Sequence, residues 1–246
     1  RRLPAHRSAS YAEGMIKFAP ILLAALYGVV LYRFSAWRTA RTLAENSAEL
    51  ADTELRRMAA RMAEALDVPR VRVFIYEISQ VNGLAAPDGR IYITRGFYER
   101  YRAGQVTAAE MAGVIAHELG HVALGHARRR MIDFSGQNAL RTALMMILGR
   151  LIPGVGQLIA NGLIGLISAR LSRKDEYAAD AYAAALLTKA GIGTEAQKSL
   201  LSKLERLAGG GAGMPAWMLS HPKSAERVAA IETLEARWQG VAEPPR

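Results

Sequence analysis

The sequence predicts a mostly helical α+β fold on three observations. Apolar residues recur at helical spacing on both sides of one short segment of β-type composition, residues 71–95. Helix-opening signatures stand ahead of several of the periodic stretches. The chain is 51 % apolar, so its 246 residues can bury a sizeable core.

Taken in order, the first element is an apolar run from Met15 to Tyr32, broken only by Lys17 and flanked by Arg33 and Arg38. Its length falls at the lower limit of the roughly 17 to 25 residues that a spanning helix requires. No small-residue cleavage site follows Tyr32, so an anchor is expected rather than a cleaved signal. The expected organisation is an N-terminal segment over 1–34, with a transmembrane helix over 15–32 and the lipid bilayer as partner, followed by one domain over 35–240. Positive charge is similar on both sides of the run, so it sets no orientation.

Leu55, Met58, Met62 and Leu66 mark an amphipathic helix that Asp67-Val68-Pro69 ends. Val71, Val73 and Ile75 alternate with Arg72, Phe74 and Tyr76, and Arg90 to Thr94 resumes the strand pattern after the turn signal Pro87-Asp88-Gly89. Three short strands are expected there. Thr107-Ala-Ala-Glu110 is a capping box, and the helix it opens can run through His117 and His121 towards Arg130. Ser172-Arg-Lys-Asp175 reads as a second cap, opening an alanine-rich helix with Glu176 and Asp180. Between the two lies an apolar stretch, Ala143 to Ala169, whose only charge is Arg150. Pro153-Gly154-Val155-Gly156 makes it a helical hairpin over 143–169 that covers the site carried by the two motif helices or rests on a bilayer, with two membrane spans as the alternative. A glycine-rich break over 209–213 precedes His221-Pro222 and a last helix with Val228, Ile231 and Leu234.

Composition narrows the chemistry. With no cysteine, the chain has no disulfide, no thiolate ligand and no cysteine nucleophile. The net charge of +10 comes from Lys and Arg spread thinly rather than gathered with aromatics, so no nucleic-acid partner is expected.

His117-Glu118-Leu119-Gly120-His121 carries the strongest signal. Positions i and i+4 of a helix lie on one face, so two imidazoles can meet one metal ion while Glu118 faces the water beside it. Zinc brings its water towards neutral pKa, and a neighbouring carboxylate can take the proton as a peptide carbonyl is attacked. Glu118 is the candidate base. The flanking Val114, Ile115, Val122 and Leu124 argue against surface histidines.

A catalytic zinc usually has a third protein ligand, and three residues could supply it. His126, five residues beyond His121, would rotate off the ligand face of a continuous helix and reads as a surface or outer-sphere histidine. His221 precedes a proline in a loop. Glu176 is the strongest candidate, because Asp180 one turn later could orient a ligand imidazole through its other nitrogen.

Four motifs in order resemble the HtpX-like membrane zinc metalloendopeptidases, a family that includes the type I CaaX prenyl protease and the mitochondrial overlapping-activity protease. They are Asn82 to Gly96, His117 to His121, Ser172 to Asp180, and His221-Pro222 with Arg227, and the resemblance extends from about residue 70 to residue 232. It implies a zincin-like (gluzincin) domain with a small sheet packed on the zinc helix. It implies one Zn2+ held by His117, His121 and Glu176, Glu118 as base, and Asp180 behind a ligand histidine. It further implies that His221 stabilises the oxyanion and that Arg227 pairs with carboxylates near the site. Asn82, Gly83, Leu84, Ala85 and Ala86 resemble the family's edge strand, to which a protein or peptide substrate adds as a further strand. Gly83 and Leu84 stand where the family commonly has alanine and an aromatic residue, which alters the pocket but not the strand.

The expected function is therefore zinc-dependent hydrolysis of internal peptide bonds in misfolded or membrane-associated proteins, with a periplasmic or other extracytoplasmic domain preferred. Two short apolar stretches cannot build the multi-span chamber that prenylated substrates need. The rival reading is a zinc-stabilised membrane chaperone or adaptor, against which the intact Glu118 argues.

Overall fold

The computed structural model describes residues 26, 30, 33, 34, 37, 38, 40–86, 88–126, 156–208 and 224–240, with only the backbone described over 156–172 and 204–208. The chain divides into two compact units, residues 1–46 and 47–246. In the first, the described residues up to Glu45 are helical, and Arg41 Nε bonds Glu45 Oε1 at 2.6 Å one turn on. Leu26, Val30, Phe34 and Trp37 are all more than half exposed. Apart from Leu26 and Val30, the run expected to span a membrane lies outside the described residues, and among those described no helix is long and apolar enough to do so.

The second unit is a mostly helical α+β fold with a small mixed sheet. Its elements are β1 (Ser47–Glu49), α1 (Thr53–Leu66), β2 (Val73–Tyr76), β3 (Gly83–Ala85), β4 (Ile91–Thr94), α2 (Arg95–Arg102), α3 (Ala108–Ala123), α4 (Gly156–Lys189), α5 (Glu195–Ala208) and α6 (Ser224–Trp238). The sheet order is β1-β2-β4-β3, with β2 and β4 parallel and both outer pairs antiparallel. β1 adds a fourth strand to the three expected. Ser47-Ala48-Glu49 has no strand pattern of its own and is ordered by pairing with Tyr76, Ile75 and Phe74. β3 lies at the other edge, where Asn82 is pinned by Thr94: Asn82 N–H donates to Thr94 Oγ1 at 2.9 Å, and Thr94 N–H to the Asn82 carbonyl at 3.1 Å.

The alternation in β2 buries Val73 and Ile75 against the helices, while Phe74 stacks on Tyr92 with ring centroids 5.5 Å apart on the opposite face. The core joins these strands to Leu55 and Met62 of α1, Phe97 of α2, Met111 and Ile115 of α3, Leu187 of α4 and Ile231 of α6. α1 starts on Asp52, whose carboxylate accepts from Glu54 N and Leu55 N, and ends where Asp67 turns left-handed at φ 55°.

Two expected boundaries are corrected. α3 does not continue towards Arg130: it ends at Ala123 because Gly125 takes φ 64°, a conformation that glycine adopts without a Cβ penalty. Ser172 caps no helix, since it lies inside the 34-residue α4. No proline falls between Gly156 and Lys189, and the glycines Gly162 and Gly165 do not interrupt it, so the helix propagates through the stretch expected to be a separate hairpin arm. The rest of that hairpin, up to residue 155, lies outside the described residues.

Candidate metal centre

α3 opens with the capping box read from the sequence: Thr107 Oγ1 accepts Glu110 N–H, and Glu110 Oε2 accepts Thr107 N–H at 2.8 Å. Ser199 Oγ and Lys203 Nζ of α5 also reach the Glu110 carboxylate, at 2.6 and 2.8 Å. Burial raises the carboxyl's pKa, but these hydrogen bonds outweigh it and the net shift is downward. The helix is thereby locked at its start, and the histidine turn follows near its end.

α4 crosses α3 at that turn. Gly120 permits the approach: a Cβ there would lie 2.9 Å from the Ala179 carbonyl oxygen and 3.1 Å from Ala179 Cα. The close crossing brings Glu176 and Asp180 onto the two imidazoles. His117 Nε2 lies 3.3 Å from Glu176 Oε2, His121 Nε2 lies 3.5 Å from Glu176 Oε1, and the two Nε2 atoms are 3.1 Å apart. His117, His121 and Glu176 offer ligand atoms that all lie within 4.8 Å of one another, and Glu176 is fully buried. Two imidazoles and one carboxylate are the donor set of His2Glu zinc sites, so the residues present fit that ion.

Asp180 stands behind the pair. Its Oδ1 is 2.9 Å from His117 Nδ1, which leaves His117 Nε2 turned to Glu176. Arg227 of α6, itself 1 % exposed, grips Asp180 with two bonds, Nε to Oδ2 at 2.6 Å and Nη2 to Oδ1 at 2.7 Å. Burial works against the Asp180 charge, yet Arg227 and then His117 prevail and hold this carboxyl well below the usual range. Burial likewise opposes a charged His117, but its bonds to Asp180 and Glu176 raise its pKa to about 9 in the metal-free protein.

Glu118 is 4 % exposed, and its Oε1 has no hydrogen-bond partner among the described residues. It faces the edge strand: a Cβ built on Gly83 would sit 3.6 Å from Glu118 Oε1 and only 2.7 Å from Val114 Cγ1. Val114 thus occupies the space that an alanine at position 83 would require.

The structure brings together His117, Glu118, His121, Glu176, Asp180 and Arg227 and sets Gly83 of β3 beside Glu118. His221 lies outside the described residues. Sequence reasoning missed Gln197 of α5, whose buried Nε2 donates to Asp180 Oδ1 at 3.3 Å, because a lone glutamine on a helix carries no signal. It also left His126 open. The chain turns at Gly125, so the rotation argument for a continuous helix does not apply, and His126 folds back to 1 % exposure beside His121.

The match to known families decides the relationship: the model of peptidase family M48 matches residues 49–235. The chain belongs to peptidase family M48. The chain is 32 % identical over 155 residues to Metalloprotease LoiP of Escherichia coli, covering 62 % of this chain and 58 % of that protein. It is 31 % identical over 174 residues to Metalloprotease YcaL of the same organism, covering 70 % and 65 %. A Protease HtpX homolog of Salinibacter ruber is 27 % identical over 267 aligned positions, covering 89 % and 90 %. The chain thus spans less than two thirds of either Escherichia coli relative.

Proposed function

We propose that this M48 chain is a zinc-dependent endopeptidase that hydrolyses internal peptide bonds of protein substrates. The convergence of His117, His121 and Glu176 within 4.8 Å carries the reading. His117 and His121 would hold the ion through Nε2, and Glu176 through its carboxylate. Zinc so held would supply Lewis acidity and the activation of water at neutral pH.

The protein's own groups supply the rest. Asp180 takes the His117 Nδ1 proton in a hydrogen bond, keeping the Nε2 lone pair for the cage, and Arg227 holds Asp180 ionised. Glu118 Oε1 accepts a proton from the attacking water and returns it to the leaving amine nitrogen. Gly83 and Ala85 of β3 alternate with the residues bonded to β4, so the Gly83 carbonyl and the Ala85 backbone groups face the sheet's edge, to which an extended substrate adds between Asn82 and Ala86, while Gly83 N–H donates to Asn82 Oδ1 at 3.0 Å. His221 is assigned to the oxyanion of the tetrahedral intermediate, on the motif alone. The helical packing around a small sheet supports a zincin-like fold, and the apolar run from Met15 to Tyr32 supports a membrane anchor and membrane-associated substrates, while misfolded substrates rest on the family resemblance alone.

Zinc content and casein cleavage, measured together in one detergent preparation, test the reading. Wild type and Glu118→Gln are expected to hold one zinc each, with cleavage in the wild type alone. Glu176→Gln is expected to lose zinc on dialysis. A wild type that retains zinc without cleaving would favour a binding protein over a peptidase.

A further inference from the structure

The two imidazoles of the cage are backed differently. His117 has its Nδ1 on a carboxylate. His121 also turns Nε2 towards Glu176 and His117, and its Nδ1 meets Nδ1 of His126 at 2.8 Å. Two ring nitrogens at that distance share one proton, one donating and the other accepting. His121 needs its Nε2 lone pair for the cage, so the proton belongs on His121 Nδ1 and His126 Nδ1 accepts it. The ring proton of neutral His126 then falls on Nε2, which faces Asp175 Oδ1 at 3.6 Å. That separation exceeds a hydrogen bond but lets the carboxylate charge favour an Nε2–H tautomer. His126 and Asp175 are 1 % and 5 % exposed, so little water competes for these nitrogens.

We infer that His126 is a positioning residue: it fixes the tautomer and ring angle of His121, and Asp175 fixes the tautomer of His126. The inference rests on the reading of His117, His121 and Glu176 as a metal cage. Two local features build the arrangement. The left-handed Gly125 returns the chain after α3 so that His126 reaches back to His121. Asp175 precedes the candidate ligand Glu176 on α4, so one turn of that helix reaches the cage directly and also through two imidazoles. His121 needs such support more than His117 does, its side chain being 11 % exposed against 3 %.

The test compares zinc affinity, by competition with a chromophoric chelator, in full-chain wild type, His126→Phe and His126→Asn. Phenylalanine keeps the ring and removes the acceptor, whereas asparagine offers Oδ1 near the place of Nδ1. His126→Phe is expected to bind zinc about 10- to 100-fold more weakly, with His126→Asn recovering to within a few-fold of wild type. Wild-type affinity in both variants, or an equal loss in both, overturns the inference, since packing alone would treat them alike. A wild type that binds no zinc overturns the metal reading itself, which separates the two failures. Should His126→Phe not fold, long-range proton–nitrogen correlation spectra of the zinc-loaded wild type decide the matter. Nδ1–H on His121 and Nε2–H on His126 are expected, and Nδ1–H on His126 overturns the inference.

Discussion

Helix α3 carries two nearly inaccessible glutamates about two turns apart, Glu110 at 2 % exposure and Glu118 at 4 %. Glu110 is saturated: Thr107 N–H, Ser199 Oγ and Lys203 Nζ all reach its carboxylate. Glu118 leaves Oε1 without a partner among the described residues. A buried polar atom left unsatisfied costs about 1–3 kcal/mol, so the second arrangement is not what stability alone would select. One carboxylate holds the helix in place, and the other is kept available where the candidate ligands converge.

The largest effect that can break this contrast is on turnover. Glu118→Gln should lower the casein cleavage rate by about 10²- to 10⁴-fold or more, while zinc content and thermal midpoint stay at wild-type values. A variant that still turns over would return Glu118 to the structural class.

The next effect lies in the pH dependence of the metal-free protein. The folded-state pKa of His117 is raised to about 9, against an ordinary value near 6.5. Its contribution is therefore fully present below about pH 6.5 and is lost as the pH rises through about 9. A difference of that size corresponds to about 3 kcal/mol, which urea titrations from pH 6 to pH 9.5 would register. Zinc displaces this proton, so zinc affinity should grow with pH across the same window. Asp180 contributes in the opposite sense: its depressed pKa stabilises the fold above the ordinary carboxylate range, and acid removes that contribution.

Glu110→Ala sharpens the contrast from the structural side. It removes the capping box and leaves Lys203 without its buried carboxylate partner, for an expected loss of about 2 kcal/mol in urea unfolding. Turnover of the folded fraction should stay within about twofold of wild type. The smallest effect concerns the strand facing Glu118. Gly83→Ala sets a methyl 2.7 Å from Val114 Cγ1, and the stiff valine on its helix cannot easily yield. β3 should then shift away from Glu118, with a fall of about tenfold in kcat/KM, roughly 1.4 kcal/mol, that Val114→Ala restores. An unrestored or absent defect would detach β3 from the chemistry.

Much of this was legible in the chain because it depends on short-range spacing. Thr107 to Glu110, the i and i+4 histidines, and the Glu176 to Asp180 step are each set within a helical turn or so, where geometry follows directly from sequence separation. β1 was not legible, because its hydrogen bonds come from a partner strand more than twenty residues away. The start of α4 was misjudged because Ser172 to Asp175 has the form of a cap, yet the preceding residues are helical already and leave it nothing to cap.

The sequence by itself determined the donor types, their placement on two helices and the absence of thiolate chemistry, since composition and helical periodicity are local properties. Only the tertiary structure decided which groups surround those donors. Arg227 on Asp180, Gln197 beside it, His126 on His121 and the closeness of Gly83 to Glu118 all depend on where the chain turns and how closely its elements pack. The physical reason is that a turn at Gly125 or a missing Cβ at Gly120 changes distances by whole residues in space while barely altering the pattern along the chain.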